Sequence, residues 1–131
     1  MMEWVRSHVA TLGLTSAEAH KIELSMEEAL VNVIQYAYAI STQGSVTLMC
    51  HVEPQQSVTF TIVDCGIPFN PLAKAKAVPI THAPTTQALE DRTEGGLGIF
   101  LMLRMMDSVQ YARRGSYNIL ILRKALTAKE S

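Results

Sequence analysis

Between residues 15 and 64 the spacing of apolar side chains changes once, from every third or fourth residue to every second. That single change restricts the fold more than any other feature of the chain. From Thr15 to about residue 39, Ile22, Met26, Ala29, Leu30, Val33 and Ala37 recur at helical spacing and form one apolar stripe. Thr15 followed by Glu18 three positions later is a capping-box signature and sets the start of this helix. In residues 45–52, Val46, Leu48, Cys50 and Val52 alternate with Thr47, Met49 and His51. EPQQ then makes a turn, and Val58, Phe60 and Ile62 alternate up to Asp64, which reads as an antiparallel hairpin. A striped helix and a one-faced hairpin bury each other's apolar sides. The expected fold class is therefore an α/β two-layer sandwich, with helices on one face of a mixed, mostly antiparallel sheet.

The remainder fits that plan. Residues 3–12 read as a short helix ended by Gly13. From Cys65 to Glu94 the pattern dissolves around Pro68, Pro71, Pro79 and Pro84. A loop of about thirty residues is either a lid or binding segment, or a partly disordered surface excursion. A helix follows from Leu97 to about Met106, then strands SVQYARR and YNILILRK around a Gly115-Ser116 turn. ILIL, residues 119–122, is apolar without alternation and suits a central strand. With 131 residues, 48% of them apolar and 18% charged, the chain is expected to form one globular domain over 1–131.

Composition also excludes partners. A formal charge of −1 provides no basic footprint for nucleic acid and no polybasic surface for a membrane. Arg113-Arg114 and Arg123-Lys124 read as solvated strand ends. No apolar run reaches the length of a span, and Glu3, Arg6 and His8 interrupt any signal-peptide core. Cys50 and Cys65 form no CxxC pair and read as structural thiols of a reducing cytoplasm. The four histidines show no ligand spacing.

Three places have the residue types for chemistry. Glu28 and Asn32 stand at i and i+4, so both project from one side of the long helix, beside its apolar stripe. They either hydrogen-bond locally or serve a metal and a water. The Asn carbonyl suits Mg²⁺, and an uncoordinated Glu can accept a proton. In VDCGIPFNP, Asp64 ends an apolar strand and Gly66 follows. This either starts a turn or offers a carboxylate to an exocyclic amine, with the glycine admitting a flat ring close to the backbone. In EGGLGIFLM, glycines open a helix whose first N–H groups are free to face an anion. Ile99 and Phe100 stand where a phosphate-loop ATPase would have Lys and Ser/Thr.

In this order, with E-x-x-x-N on a helix, D-x-G-x-P-F after a strand, a long loop and G-G-L-G opening a helix, the motifs resemble those of the Bergerat-fold (GHKL, histidine kinase-like) ATPases. Within that superfamily they look most like the stand-alone serine-protein kinases that act as bacterial anti-sigma factors. EEALVNVIQYAY resembles the N-box, DCGIPFNP the first glycine box and GGLGIFLMLRMMDSVQY the second, so the likeness covers roughly residues 4–124. The resemblance implies ATP and Mg²⁺ as cofactors. It implies that Asn32 holds the metal and Glu28 is the general base. Asp64 would accept from the adenine amino group beside Gly66, and Gly95, Gly96, Leu97 and Gly98 would face the phosphates. Residues from about 72 to 94 would form the ATP lid, from which Arg92 would reach the terminal phosphate, and Asn118 would lie near the adenine. The implied partners are a sigma factor and an anti-anti-sigma (antagonist) protein that is phosphorylated on serine, in the cytoplasm, with the kinase as a homodimer.

The sequence departs from the family in places. Members usually begin with a strand before the first helix, whereas this sequence opens in the helix; either it is trimmed or the sheet lacks an edge strand. Tyr36-Ala37-Tyr38 stands where His-Ala-Tyr is common, and the lid arginine does not register cleanly on Arg92. Arg6 sits where relatives contact partners, or is a lone surface arginine. Two other readings of the same motifs are a nucleotide-binding interaction module without phosphoryl transfer and the ATP-binding part of a histidine kinase-type system.

Overall fold

In a computed structural model, the structure describes residues 1–37, 45–75 and 96–126. Helices α1 (Met2–Ala10), α2 (Ser16–Asn32) and α4 (Gly96–Met105) lie with a short helix α3 (Leu72–Ala75) and strands β1 (Val46–Glu53), β2 (Ser57–Asp64), β3 (Ser108–Arg114) and β4 (Tyr117–Ala125). The two hairpins join through their second strands, so the sheet order is β1-β2-β4-β3 and the apolar ILIL strand is central. The three pairings are all antiparallel, so among the described residues the mixed component of the expected sheet is absent.

Strand register stacks the inward side chains in rows. Cys50, Phe60, Leu122 and Val109 share one row. Leu48, Ile62, Leu120 and Tyr111 share the next, and Val46, Asp64, Asn118 and Arg113 the one at the sheet end. Helix α2 lays Ile22, Met26, Ala29, Leu30 and Val33 onto these rows, as its spacing predicts, and Ile99, Met102 and Met106 reach the same core from and just beyond α4. Trp4 of α1 closes one side with its ring edge-on to Phe60, 6.3 Å between centroids. The polar row is thus the place where an otherwise apolar layer ends.

Local chemistry explains the boundaries. Thr15 Oγ1 accepts from the Glu18 amide at 3.2 Å, which is the forward half of the capping box. The Glu18 carboxylate turns instead to Lys124, 3.4 Å away, because that ammonium is largely enclosed and also donates to Met105 O at the end of α4. Lys124 therefore ties three elements together and is no free strand-end cation. Helix α1 ends at Ala10, and Gly13 completes the following turn at φ 67°. Past Asn32 the expected α-helix widens into a π turn over Val33–Ala37. β-Branched Val33 and Ile34 lower the α-helical propensity there. The expected end of this helix at about residue 39 lies outside the described residues.

Val52 is exposed, so the inward side of β1 ends at Cys50. Burial pushes the Cys50 thiol above its ordinary pKa, while Cys65 is exposed. Site-resolved alkylation with iodoacetamide near neutral pH is expected to label Cys65 well before Cys50, with Cys50 catching up only as the pH is raised. Equal labelling at neutral pH would contradict this placement of β1.

Candidate functional site

The sheet-end row and the C-terminal half of α2 enclose a cleft lined by Ala29, Asn32, Val33, Asp64, Phe69, Pro71, Tyr111, Asn118 and Leu120. Asp64 and Asn118 come together because they are cross-strand partners on the two central strands. The row places both against the apolar core, and both are nearly sealed from solvent, 4% and 3% exposed. A buried carboxylate must be hydrogen-bonded to remain there. Asp64 Oδ1 accepts from Gly66 N and from Asn118 Nδ2, each at 2.9 Å. Asn118 also donates to Ile67 O at 2.8 Å and accepts from Phe69 N at 3.2 Å and from the Tyr111 hydroxyl. Arg113 donates to Gly66 O at 2.8 Å. The segment after β2 is thereby anchored to β3 and β4 at Gly66, Ile67 and Phe69.

At the other end of the cleft stand Glu28 and Asn32. Asn32 is 1% exposed, and its Nδ2 donates to both Glu28 O and Glu28 Oε1 at 2.8 Å. The local hydrogen bond open from the sequence is therefore formed, yet it uses only the donor side of the amide. Asn32 Oδ1 is buried without a partner among the described residues. Leaving such an acceptor unpaired costs about 1–3 kcal/mol, so the residue is poised for a donor or a cation. Glu28 runs from α2 to the first turn of α4. A Cβ built on Gly98 would lie 2.0 Å from Glu28 Cδ. Only glycine at this position lets the carboxylate rest against the start of that helix.

Mg²⁺ fits the Asn32 oxygen. It binds through few protein ligands and fills its shell with water and phosphate oxygens. No group of three His, Cys, Asp or Glu side chains stands together among the described residues, so a cation here would depend on oxygens of a bound phosphate. The cleft contains about 10 Å³ of water-sized space, roughly one water.

Several sequence expectations are placed differently, and two were missed. Gly66 does not line the cleft; its N–H and C=O hold the Asp64 turn and the Arg113 guanidinium. Asn118 borders the cleft with every polar atom engaged. Gly96, Leu97 and Gly98 form the first turn of α4, whereas Gly95, Arg92 and most of the expected lid lie outside the described residues. Arg113 is half-buried and bonded, unlike a solvated strand end, and Tyr111 was not singled out at all. A signal for both was present. A two-residue turn at Gly115-Ser116 sets Arg113 opposite Asn118, and alternation then turns Tyr111 the same way.

A family model described as the histidine kinase-like ATPase domain matches residues 1–124. The serine/threonine-protein kinase BtrW of Bordetella bronchiseptica is 27% identical over 116 residues, 88% of this chain and 77% of that protein. The serine-protein kinase RsbW of Bacillus subtilis is 30% identical over 100 residues, 76% of this chain and 60% of RsbW. The anti-sigma F factor of Clostridium acetobutylicum is 26% identical over 121 residues, 92% of this chain and 79% of that factor. Among solved structures, the histidine kinase domain of the Erythrobacter litoralis EL346 blue-light activated histidine kinase superposes with TM-score 0.56 at 20% identity. That likeness covers 83% of this chain and 45% of the other, and it concerns the fold.

Replacing Gly98 with Ala tests the Glu28 contact. The new methyl group meets the flexible end of Glu28, which can swing away, and Ala gains up to about 1 kcal/mol over Gly in a helix. Thermal unfolding of Gly98→Ala is expected near or above wild type, while the Asn32 side-chain amide resonances shift as their Glu28 partner leaves. Unmoved Asn32 resonances would show that the carboxylate does not rest there.

Proposed function

The chain belongs to the histidine kinase-like ATPase domain family, and from that membership we propose that it is an ATP-dependent serine-protein kinase that acts as an anti-sigma factor. Its substrate is a small antagonist protein, phosphorylated on serine, and its other partner is a sigma factor. The relatives named as serine-protein kinases and as an anti-sigma factor support this choice within the family. In this reading it works in the cytoplasm as a homodimer, and it switches transcription without binding DNA or a membrane. No helix among the described residues is long and apolar enough to cross a membrane.

The observation that carries the proposal is the unpaired, buried Asn32 carbonyl next to a carboxylate held against the start of a helix. The adenine ring enters between α2 and the sheet, its amino group toward Asp64. The triphosphate extends to the first turn of α4, where Gly96, Leu97 and Gly98 supply backbone N–H groups. Asn32 Oδ1 would hold Mg²⁺, which would supply charge neutralisation at the phosphates. Glu28 accepts the proton of the substrate serine as its oxygen attacks the γ-phosphorus and the bond to ADP breaks. Arg92, which lies outside the described residues, is assigned to the terminal phosphate by the resemblance alone. Catalysis at such a centre is chiefly positioning and charge stabilisation, with the base adding about 10²–10⁴-fold.

Incubation with Mg-ATP and candidate antagonists, read by phosphoserine mass spectrometry, tests the activity. Transfer to one of them is expected; ATP binding without transfer to any would favour the interaction module. Two substitutions separate the roles. Glu28→Ala is expected to keep ATP affinity within a few-fold and to lower transfer by at least about 10²-fold. Full transfer by this variant would remove Glu28 as the base. Asn32→Ala is expected to weaken binding of Mg-ATP more than that of metal-free ATP, measured by calorimetry. Equal losses in the two titrations would argue against the metal role.

A further inference from the structure

We propose that Asn118 and Tyr111 set the base selectivity of the cleft by fixing the Asp64 carboxylate. The inference rests on the nucleotide reading above and assigns it two positioning residues on β4 and β3.

The argument is one of hydrogen-bonding capacity. An asparagine side chain has two N–H donors and an oxygen with two lone pairs. In Asn118 all four are in use: Asp64 Oδ1 and Ile67 O take the donors, and Phe69 N and the Tyr111 hydroxyl fill the acceptor. Saturated and buried, Asn118 has no capacity left for a ligand. Its amide orientation is also determined. Turned over, it would present NH₂ to the Phe69 N–H and its oxygen to the Asp64 carboxylate and the Ile67 carbonyl, which are repulsive contacts. The Tyr111 hydroxyl donates to the same oxygen and reinforces this orientation from the neighbouring strand.

The consequence falls on Asp64. Gly66 N and Asn118 Nδ2 occupy Oδ1, and Oδ2 receives no hydrogen bond from the described residues. The carboxylate therefore cannot rotate without losing two bonds, and it offers the cleft one acceptor in one direction. An acceptor fixed in this way rewards a 6-amino purine, which donates to it. It penalises a 6-oxo purine, whose carbonyl oxygen faces it and leaves it unpaired. A carboxylate free to rotate would turn away from the oxo group and lose much of that discrimination. Because Asp64 and Asn118 stand on the central strands β2 and β4, paired as cross-strand partners, the sheet itself holds the arrangement in place.

Selectivity distinguishes this from a plain structural role, since a merely loosened fold weakens all nucleotides alike. We would measure the dissociation constants of ATP and ITP, which differ at the 6-position and share the triphosphate, for the full chain and two variants. Wild type is expected to favour ATP by at least about tenfold, the value of one good hydrogen bond. Tyr111→Phe removes one hydroxyl and leaves the ring; its ATP-to-ITP preference is expected to fall about threefold. Asn118→Leu removes all four bonds, and its preference is expected to approach unity, with ITP affinity nearly kept. If Asn118→Leu does not fold, Tyr111→Phe alone decides. An unchanged ratio in Tyr111→Phe, or equal losses for both nucleotides in either folded variant, would overturn the proposal. A wild type that binds neither nucleotide, or both equally, would instead overturn the nucleotide reading on which it rests.

Discussion

The pairing of β2 with β4 is the constraint on which the rest of the structure depends, because it sets Asp64 opposite Asn118 at the end of an apolar layer. Two rows of the inner sheet face are hydrocarbon except for the Cys50 thiol and the Tyr111 hydroxyl, and the next row carries a carboxylate, an amide and a guanidinium. A slip of one residue in this register would turn either Phe60 and Ile62 or Leu120 and Leu122 to solvent and leave Asp64 without its partner. Hydrophobic burial and polar satisfaction therefore select the same register. That agreement lets a buried carboxylate stand at the edge of the core without disrupting it.

Helix α2 connects this row to the second half of the cleft. Its inward stripe packs on the sheet, and its C-terminal half presents Ala29 and Asn32 to the cleft, beside Val33 of the π turn, with Glu28 crossing to α4. The two ends differ in chemistry. Around Asp64 nearly every polar atom is used, and the loop beyond β2 is tied down at successive backbone groups. Around Asn32 one buried oxygen is unused, next to a carboxylate and a helix start. A saturated end suits rigid recognition, and an unsaturated end suits a charged group that arrives with its own ligands.

Much of this was legible in the sequence because it rests on local period. The alternation of Val58, Phe60 and Ile62, the stripe from Ile22 to Val33 and the unalternating ILIL strand each placed an element correctly. Cap chemistry was half legible. Thr15 caps α2, but Lys124, more than a hundred residues away, draws Glu18 off the box. Long-range polar contacts were the least legible. Arg113 read as a solvated cation because its partner, the Gly66 carbonyl, lies far away in sequence, and the hydrogen-bond saturation of Asn118 cannot be seen in a string of letters. The motif glycines also divided. Gly98 makes room for a side chain, whereas the Gly66 backbone holds a turn and a guanidinium.

The most direct test of the account is a crystal structure with Mg²⁺ and a non-hydrolysable ATP analogue. The account predicts the 6-amino group within about 3 Å of Asp64 Oδ2, with Asn118 still bonded to Oδ1. It also predicts Asn32 Oδ1 about 2.1 Å from the metal. A nucleotide bound away from this cleft, or one bound within it while Asn32 Oδ1 stays unpaired, would contradict it.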